Sequence, residues 1–397
     1  MIFHEKHGMI QVSTGKAKEM ENPIKTIHSY APTRICDIGG WTDTWFARYG
    51  NVFSIAVYPG AEVQIKCFPA VDEPEIRVYL ENFDYRYTQF PNRIQYGKHP
   101  LIDASIESIP IPEGMSLEIN VYSAMPPGAS VGTSGAISVA LIGGLDALNE
   151  GHLSAGEASR LAHQAETVKL RQQSGIQDQL ASAYGGIRYI EIPRYPYASV
   201  SPVSLPEQIW WELGQCLLLI YIGAPHNSDK VHQKVIRRMG QDASEDPLFC
   251  AMRILAREAR NAVIAGDLSA LGRTMDENTE IQRRMHRELV CDSFEEVIAV
   301  CREFDVLGCK VNGAGGDGGT VTALTDGDMV KKRRLIRALE GKGYQVVPII
   351  LARQGLSIWQ EQTGGARKEE RQKTGKVLRG TDEQDGSGIT SPERDER

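Results

Sequence analysis

An α+β fold in two domains is what the sequence predicts, on three observations. The chain has 397 residues, enough for two domains, and its 41% apolar and 24% charged content is that of an ordinary globular protein. Runs with the two-residue alternation of half-buried strands are interleaved irregularly with runs of helical period. The stretch 293–351 carries the order helix, strand, strand, helix, strand, with two crossovers, which belongs to a layered α+β unit.

Taken in order, residues 1–25 are polar and aperiodic and predict a disordered N-terminus, followed by a first domain over 26–192. The runs 50–68 and 75–80 read as strands, and Leu117, Ile119 and Val121 alternate as a strand with one buried face. A glycine-rich loop (125–136, MPPGASVGTSGA) precedes a helix carried by Ile137, Val139, Ala140, Leu141, Leu145 and Leu148. Ser154 and Glu157 form a capping box for the next helix, whose inner face is Leu161, Ala162, Ala165 and Val168. A strand follows at 185–192, and the proline-rich stretch 193–208 predicts a connector to a second domain over 209–363. That domain should open with a strand at 216–223 and a helix at 229–240, then two longer helices within 247–265 and 267–289. A helix at 293–304, strands at 309–312 and 320–324, a helix at 328–341 and a strand at 344–351 complete it. From Gly364 onward only Val377, Leu378 and Ile389 are sizeable apolar side chains, which predicts a disordered tail.

A net charge of −7 argues against a nucleic-acid or anionic-membrane partner. No apolar run approaches the ~20 residues of a membrane span, and the N-terminus lacks the order of a secretion signal. Seven scattered cysteines without a C-x-x-C pair favour reduced thiols over a zinc site or a disulfide framework. A cytoplasmic protein is expected, and a homodimer is compatible with the sequence.

Four stretches bear chemistry. In 125–136, Gly128 and Gly132 permit close backbone approach, Thr133 and Ser134 offer hydroxyls to a phosphate or a metal, and the helix start favours an anion. The same residues also suit a simple capped helix after a proline turn. In 310–324 (KVNGAGGDGGTVTAL), Gly313, Gly315, Gly316, Gly318 and Gly319 lie between two strands, more than a tight turn needs. In 31–44 (APTRICDIGGWTDT), Arg34, Asp37, Thr42 and Asp43 flank Gly39-Gly40; singly, a strand arginine and a helix cap explain them equally. In 171–186 (RQQSGIQDQLASAYGG), Asp178 is either a first-turn helix residue or a carboxylate that takes a proton from an attacking hydroxyl. A fifth stretch, 223–238, places His226, Asn227, Ser228, Lys230, His232, Arg237 and Arg238 at a strand-to-helix junction. It is either a helix cap with a solvated basic face or a holder for a phosphorylated sugar.

Together and in this order, APTR (31–34), PPGASVGTSGA (126–136) and NGAGGDGG (312–319) resemble the three motifs of the GHMP kinase superfamily. GGWTDT (39–44) and GIQDQ (175–179) are similar to its sugar-kinase branch, the L-fucokinases and the D-glycero-D-manno-heptose 7-phosphate kinases. The resemblance covers about residues 26–355. It implies a two-domain GHMP kinase fold, with an N-terminal domain like ribosomal protein S5 domain 2 and a ferredoxin-like C-terminal domain. It further implies ATP and Mg²⁺ as cofactors and phosphorylation of a sugar or sugar phosphate, commonly at the anomeric hydroxyl.

Carried over by motif, the nucleotide-binding loop is Pro127, Gly128, Ala129, Ser130, Val131, Gly132, Thr133 and Ser134. Ser134 and Glu166 match the metal ligands, Asp178 the catalytic carboxylate and Arg34 its basic partner. Asp43, with Thr42 and Gly40, matches the sugar-binding residues, and Gly313, Gly315 and Gly316 line the substrate end. The chain departs from the family pattern at Ser130-Val131 (Gly-Leu), Gly135 (Ala) and Asp317 (Gly), and it lacks the Pro-Pro of the fucokinases. Asp317 is expected to point away from bound phosphates or to contact a hydroxyl. Two alternatives stand beside the sugar kinase: a kinase of a mevalonate-type alcohol, which the polar GGWTDT opposes, and a catalytically silent sugar and ATP sensor.

Overall fold

A computed structural model of the chain describes residues 22–223, 228–316 and 318–361. The expected disorder of residues 1–21 and of the tail beyond 363, and the expectations for Asp317, His226 and Asn227, lie outside those residues, as do the side chains of Ser228, Lys230 and His232.

Among the described residues, nine strands form the first sheet. Strand β1 (Lys25–Ile38) pairs antiparallel with β2 (Gly50–Pro69), with register shifts between Ala31 and Thr33 and between Ile35 and Ile38. Those irregularities re-aim successive side chains along β1, as bulges do beside active sites. Then come β3 (Ile76–Leu80), β4 (Tyr85–Gln89), a short helix α1 (Pro100–Ile106) and β5 (Met115–Ser123), which runs beside β2. Helix α2 (Thr133–Asp146) lies on this sheet and buries Val139, Leu141, Ile142 and Leu145 against Ile27, Ile65, Leu117 and Ile119. Each fully buried side chain of this kind contributes roughly 1.5–3 kcal/mol. Helix α3 (Ala155–Gln164) begins at the expected capping box, with both reciprocal bonds of Ser154 and Glu157 formed, and passes into one π-helical turn at Ala165–Lys169. Helix α4 (Gln177–Tyr184) and strands β6 (Ile187–Arg194) and β7 (Tyr197–Pro202) follow.

Helix α5 (Glu207–Cys216) leads into a second sheet made of β8 (Leu217–Tyr221), β9 (Gly308–Val311), β10 (Thr320–Leu324) and β11 (Gln345–Val347). Its spatial order is β11-β8-β10-β9 with antiparallel neighbours, the ferredoxin-like arrangement. Between β8 and β9 lie α6 (Ser228–Met239), α7 (Pro247–Ala265), α8 (Leu268–Met285) and α9 (Asp292–Glu303); α10 (Met329–Gly341) links β10 to β11. The chain then returns to the first sheet, where β12 (Ile350–Leu351) pairs with β2 and β13 (Ser357–Gln360) with β1. One apolar cluster joins the two parts, from Ile35, Phe46 and Phe53 to Phe249, Met252, Leu271 and Met275.

Within the proline-rich stretch 193–208 the chain is not a free connector: β7 hydrogen-bonds back to β6, with Pro196 in the turn between them. Pro202 ends β7, whose only partner among the described residues is β6, so its missing N–H leaves no gap in the sheet. The strand expected over 344–351 is broken in two, and its halves join different sheets.

Candidate active site

The glycine-rich loop after β5 opens onto a cleft of about 500 Å³ at the junction of the two parts. Helix α2 starts at Thr133 after a left-handed Gly132 (φ 72°), with no side-chain cap, so its first-turn N–H groups and positive end are open to an anion in the cleft. Ser130 is also left-handed (φ 58°) at the place where the family pattern has glycine, a conformation costing a non-glycine residue roughly 1–2 kcal/mol. Contacts from the other sheet hold it there. Thr320 Oγ1 donates to the Ala129 carbonyl at 2.7 Å, and Tyr221 Oη to the Pro127 carbonyl at 2.9 Å. A Cβ on Gly313 would sit 2.9 Å from the Ser130 carbonyl oxygen, and one on Gly319 2.9 Å from Ser130 Oγ. Gly313 and Gly319 are therefore small because Ser130 of the first glycine-rich loop packs directly against them.

Arg34, only 3% exposed on β1, reaches the first turn of α4: its Nε donates to Asp178 Oδ1 at 2.8 Å and its Nη1 to the Ser130 carbonyl at 2.6 Å. A surface strand position is thereby ruled out for Arg34. Three residues along β1, Asp37 accepts from the Gly313 N–H (3.0 Å) and from Lys310 Nζ (3.3 Å). Asp37 and Lys310 are each 1% exposed. Burial alone would raise the Asp37 carboxyl, but Lys310 and Arg34 hold it below the usual carboxylate range. Burial lowers Lys310, with Asp37 opposing. This chain of ionic contacts ties β1 to β9 and fixes the guanidinium that faces Asp178.

Glu166 lies in the π-helical turn, a local widening that recurs at functional sites. Its Oε2 accepts from Ser174 Oγ (2.7 Å) and Gln179 Nε2 (2.8 Å), and Ser134 lines the same cleft. Burial raises its pKa to about 7, the Asp178 charge adds to that, and Ser174, Gln179 and Ser134 oppose it. A buried carboxylate beside a hydroxyl at the head of an anion-binding helix is a hard oxygen donor set of the kind Mg²⁺ takes together with phosphates. Among the described residues no group of three or more His, Cys, Asp or Glu could hold a metal ion by itself.

The raised pKa has a consequence for stability. Glu166 binds its proton more tightly folded than unfolded, so its contribution is complete below about pH 4.5 and is lost as pH rises through about 7. In Mg²⁺-free buffer, Glu166→Gln is expected to melt several degrees above the parent at about pH 8 and level with it at about pH 5. Scanning calorimetry at the two pH values checks this; an unchanged or lower melting point at the higher pH would contradict the assignment.

The part of the cleft around Asp43 and Gln177 is polar. Asp43, 1% exposed, accepts from the Gln177 N–H at 3.0 Å; burial raises its pKa to about 6, with Asp178 adding. Gly175 packs so tightly on that carboxylate that no Cβ would fit. Gln177 lines the cleft, 7% exposed, and its Oε1 has no partner among the described residues. Thr42 and Gly40 stand behind this wall: Thr42 Oγ1 donates to the carbonyls of Gly39 (2.7 Å) and Asn51 (3.1 Å), and Gly40 packs on Asp37 and Gln177. Of the late glycines only Gly313 lines the cleft; Gly315 packs on the Leu289 carbonyl, and Gly316 forms an isolated bridge to Val290. Sequence reasoning missed Lys310, Ser174, Gln179 and Trp41, a cleft-lining residue with φ 80°. Lys310 directly precedes the third motif's first strand end and signalled nothing, since a lysine there reads as solvated.

The geometry agrees with comparisons against known proteins. A family profile described as GHMP kinases N terminal domain matches residues 101–186, and one described as GHMP kinases C terminal matches residues 259–343. A bifunctional fucokinase/GDP-fucose pyrophosphorylase of Arabidopsis thaliana is 26% identical over 76% of this chain, which spans only 30% of that protein. A mevalonate kinase of Thermococcus sibiricus is 28% identical over 60% of this chain and 68% of its own length. The D-glycero-alpha-D-manno-heptose 7-phosphate kinase of Campylobacter jejuni is 22% identical over 85% of this chain and 99% of its own. Among solved structures, a D-glycero-D-manno-heptose 1-phosphate kinase from Bacteriodes thetaiotaomicron superposes with a TM-score of 0.68 at 20% identity, over 85% of this chain and 100% of that one. Both domains present in order, on the two-domain fold those enzymes share, make this chain a member of the GHMP kinase family and a small-molecule kinase.

Proposed function

We propose that this kinase transfers the γ-phosphoryl group of ATP to a hydroxyl of a sugar, with Asp178 accepting the hydroxyl proton. The observation that carries the reading is the Arg34–Asp178 pair, placed between the open start of α2 and the polar wall of Asp43 and Gln177. Loop 127–134 presents backbone N–H groups to the phosphates. A recess of about 370 Å³ with Phe83, His99, Leu101 and Ile137 in its walls meets the cleft at Ser134, and it is apolar enough to take a nucleotide base. As the acceptor oxygen bonds to phosphorus, its proton passes to Asp178 and the bond to the ADP oxygen breaks. Arg34, fixed by Asp178 and the Ser130 carbonyl, supplies positive charge beside the transferring group. Mg²⁺, held by Glu166 and Ser134, neutralises phosphate charge when bound.

A polar wall also favours a sugar over mevalonate, because each buried polar group needs a partner and a hydroxyl-rich ligand supplies several. The test is ADP release from Mg-ATP with L-fucose, L-arabinose, galactose, glucuronate, sedoheptulose 7-phosphate and mevalonate. Turnover on a sugar and none on mevalonate is expected. Turnover on mevalonate alone would replace the sugar reading, and ATP binding without any turnover would leave the silent sensor.

A further inference from the structure

Beside the cleft, across Gln172 and Gln173, lies a second recess of about 480 Å³ that the phosphoryl-transfer reading does not use. Trp45, Leu170 and Ile236 give it apolar walls, and two arginines, Arg171 and Arg237, also line it. Neither guanidinium has a hydrogen-bond or ion-pair partner among the described residues. Their neighbours differ. On α6, Lys234 pairs with Glu288 and Arg238 donates to the Met285 carbonyl, while Arg237 stays unengaged at the recess. Arg171 is held with φ 55°, an uncommon backbone state for a long side chain, where the chain leaves the π-helical turn. In a protein of net charge −7, two unpaired arginines in one recess next to a carboxylate-rich cleft mark a place for an anion.

We propose that this recess is a subsite for a phosphate or carboxylate carried by the acceptor, held by Arg171 and Arg237 and remote from the hydroxyl that reacts. The base-sized recess shares Leu101, Ser134 and Gln172 with the cleft, whereas this one shares Gln172 and Gln173, and Gln173 adjoins Ser174 and the Gly175 that packs on Asp43. The inference rests on the sugar-kinase reading of the cleft and assigns the acceptor's class: an anionic sugar. Guanidinium forks suit both anions, and the arms of the test separate them.

Calorimetric binding to the full chain is measured for mannose 6-phosphate, sedoheptulose 7-phosphate and glucuronate against mannose, sedoheptulose and glucose, with Mg-ATP turnover in parallel. At least one charged probe is expected to bind ~10-fold or more tighter than its neutral parent, and Arg171→Gln/Arg237→Gln to weaken it by roughly 100-fold. In turnover the loss should fall on KM rather than kcat, and the Arg171→Lys/Arg237→Lys variant should recover only part of it. Equal binding of charged and neutral probes, or unchanged binding in the Gln variant, overturns the subsite. Arginine-dependent binding without ADP release upholds the subsite and overturns the sugar-kinase reading; turnover of neutral and charged sugars alike does the reverse.

Discussion

Asp178→Asn is expected to lower kcat by roughly 10²–10⁴-fold on whichever sugar is turned over, with ATP affinity within a few-fold of the parent. The amide keeps the size of the carboxylate, and its oxygen still accepts from Arg34 Nε, so the 2.8 Å contact that orders the site is conserved. What disappears is the group that takes the proton as the acceptor oxygen attacks. Steady-state kinetics with calorimetric ATP binding separates the two effects. Full activity in the variant would show that the proton leaves by another route and that Asp178 only positions Arg34.

Lys310→Met should have the largest effect on stability, a loss of ~3–5 kcal/mol, because it leaves Asp37 buried with Arg34 Nη1 at 3.9 Å as its remaining cation. Asp37 also receives the Gly313 N–H, so the damage should spread to the contact between the two glycine-rich loops and lower kcat as well. Adding Asp37→Asn to Lys310→Met removes the uncompensated charge while keeping an acceptor for Gly313, and at least half of the lost stability should return. Denaturant melts of the parent, both single variants and the double variant measure this. A Lys310→Met protein as stable as the parent would show that the ion pair contributes nothing to joining β1 and β9.

Regular elements were legible where one physical signal dominated. Ser154 and Glu157 announced α3 through reciprocal caps, and β10 matched its predicted limits because five consecutive apolar or β-branched residues sit between a glycine turn and Asp326. Helix α5 and strand β7 were missed because four prolines in 193–208 suggested a linker; three of them instead sit at a turn, at a strand end and before a helix start. The return of β12 and β13 to the first sheet is a long-range pairing that no local pattern encodes.

The site divides in the same way. Gly128, Gly132, Ser134, Glu166, Asp178, Arg34 and Asp43 converge on one cleft, and their motifs carried that information. Lys310 was silent, because its role depends on Asp37 lying 273 positions earlier in the chain. Thr42 and Gly40 were placed one layer too near the ligand: a motif gives residue types in sequence, while which hydroxyl faces inward depends on the turn that Gly39 (φ 86°) makes.

In the proposed reaction one cleft carries the γ-phosphoryl group of ATP to a sugar hydroxyl. Phosphorus-31 NMR of the full chain with Mg-ATP and a sugar that releases ADP tests it most directly, since it sees the bond that is made. A new phosphate-ester resonance on the sugar is expected, growing in step with ADP and at least ~100-fold more slowly with Asp178→Asn. Inorganic phosphate in place of the ester would contradict that reaction.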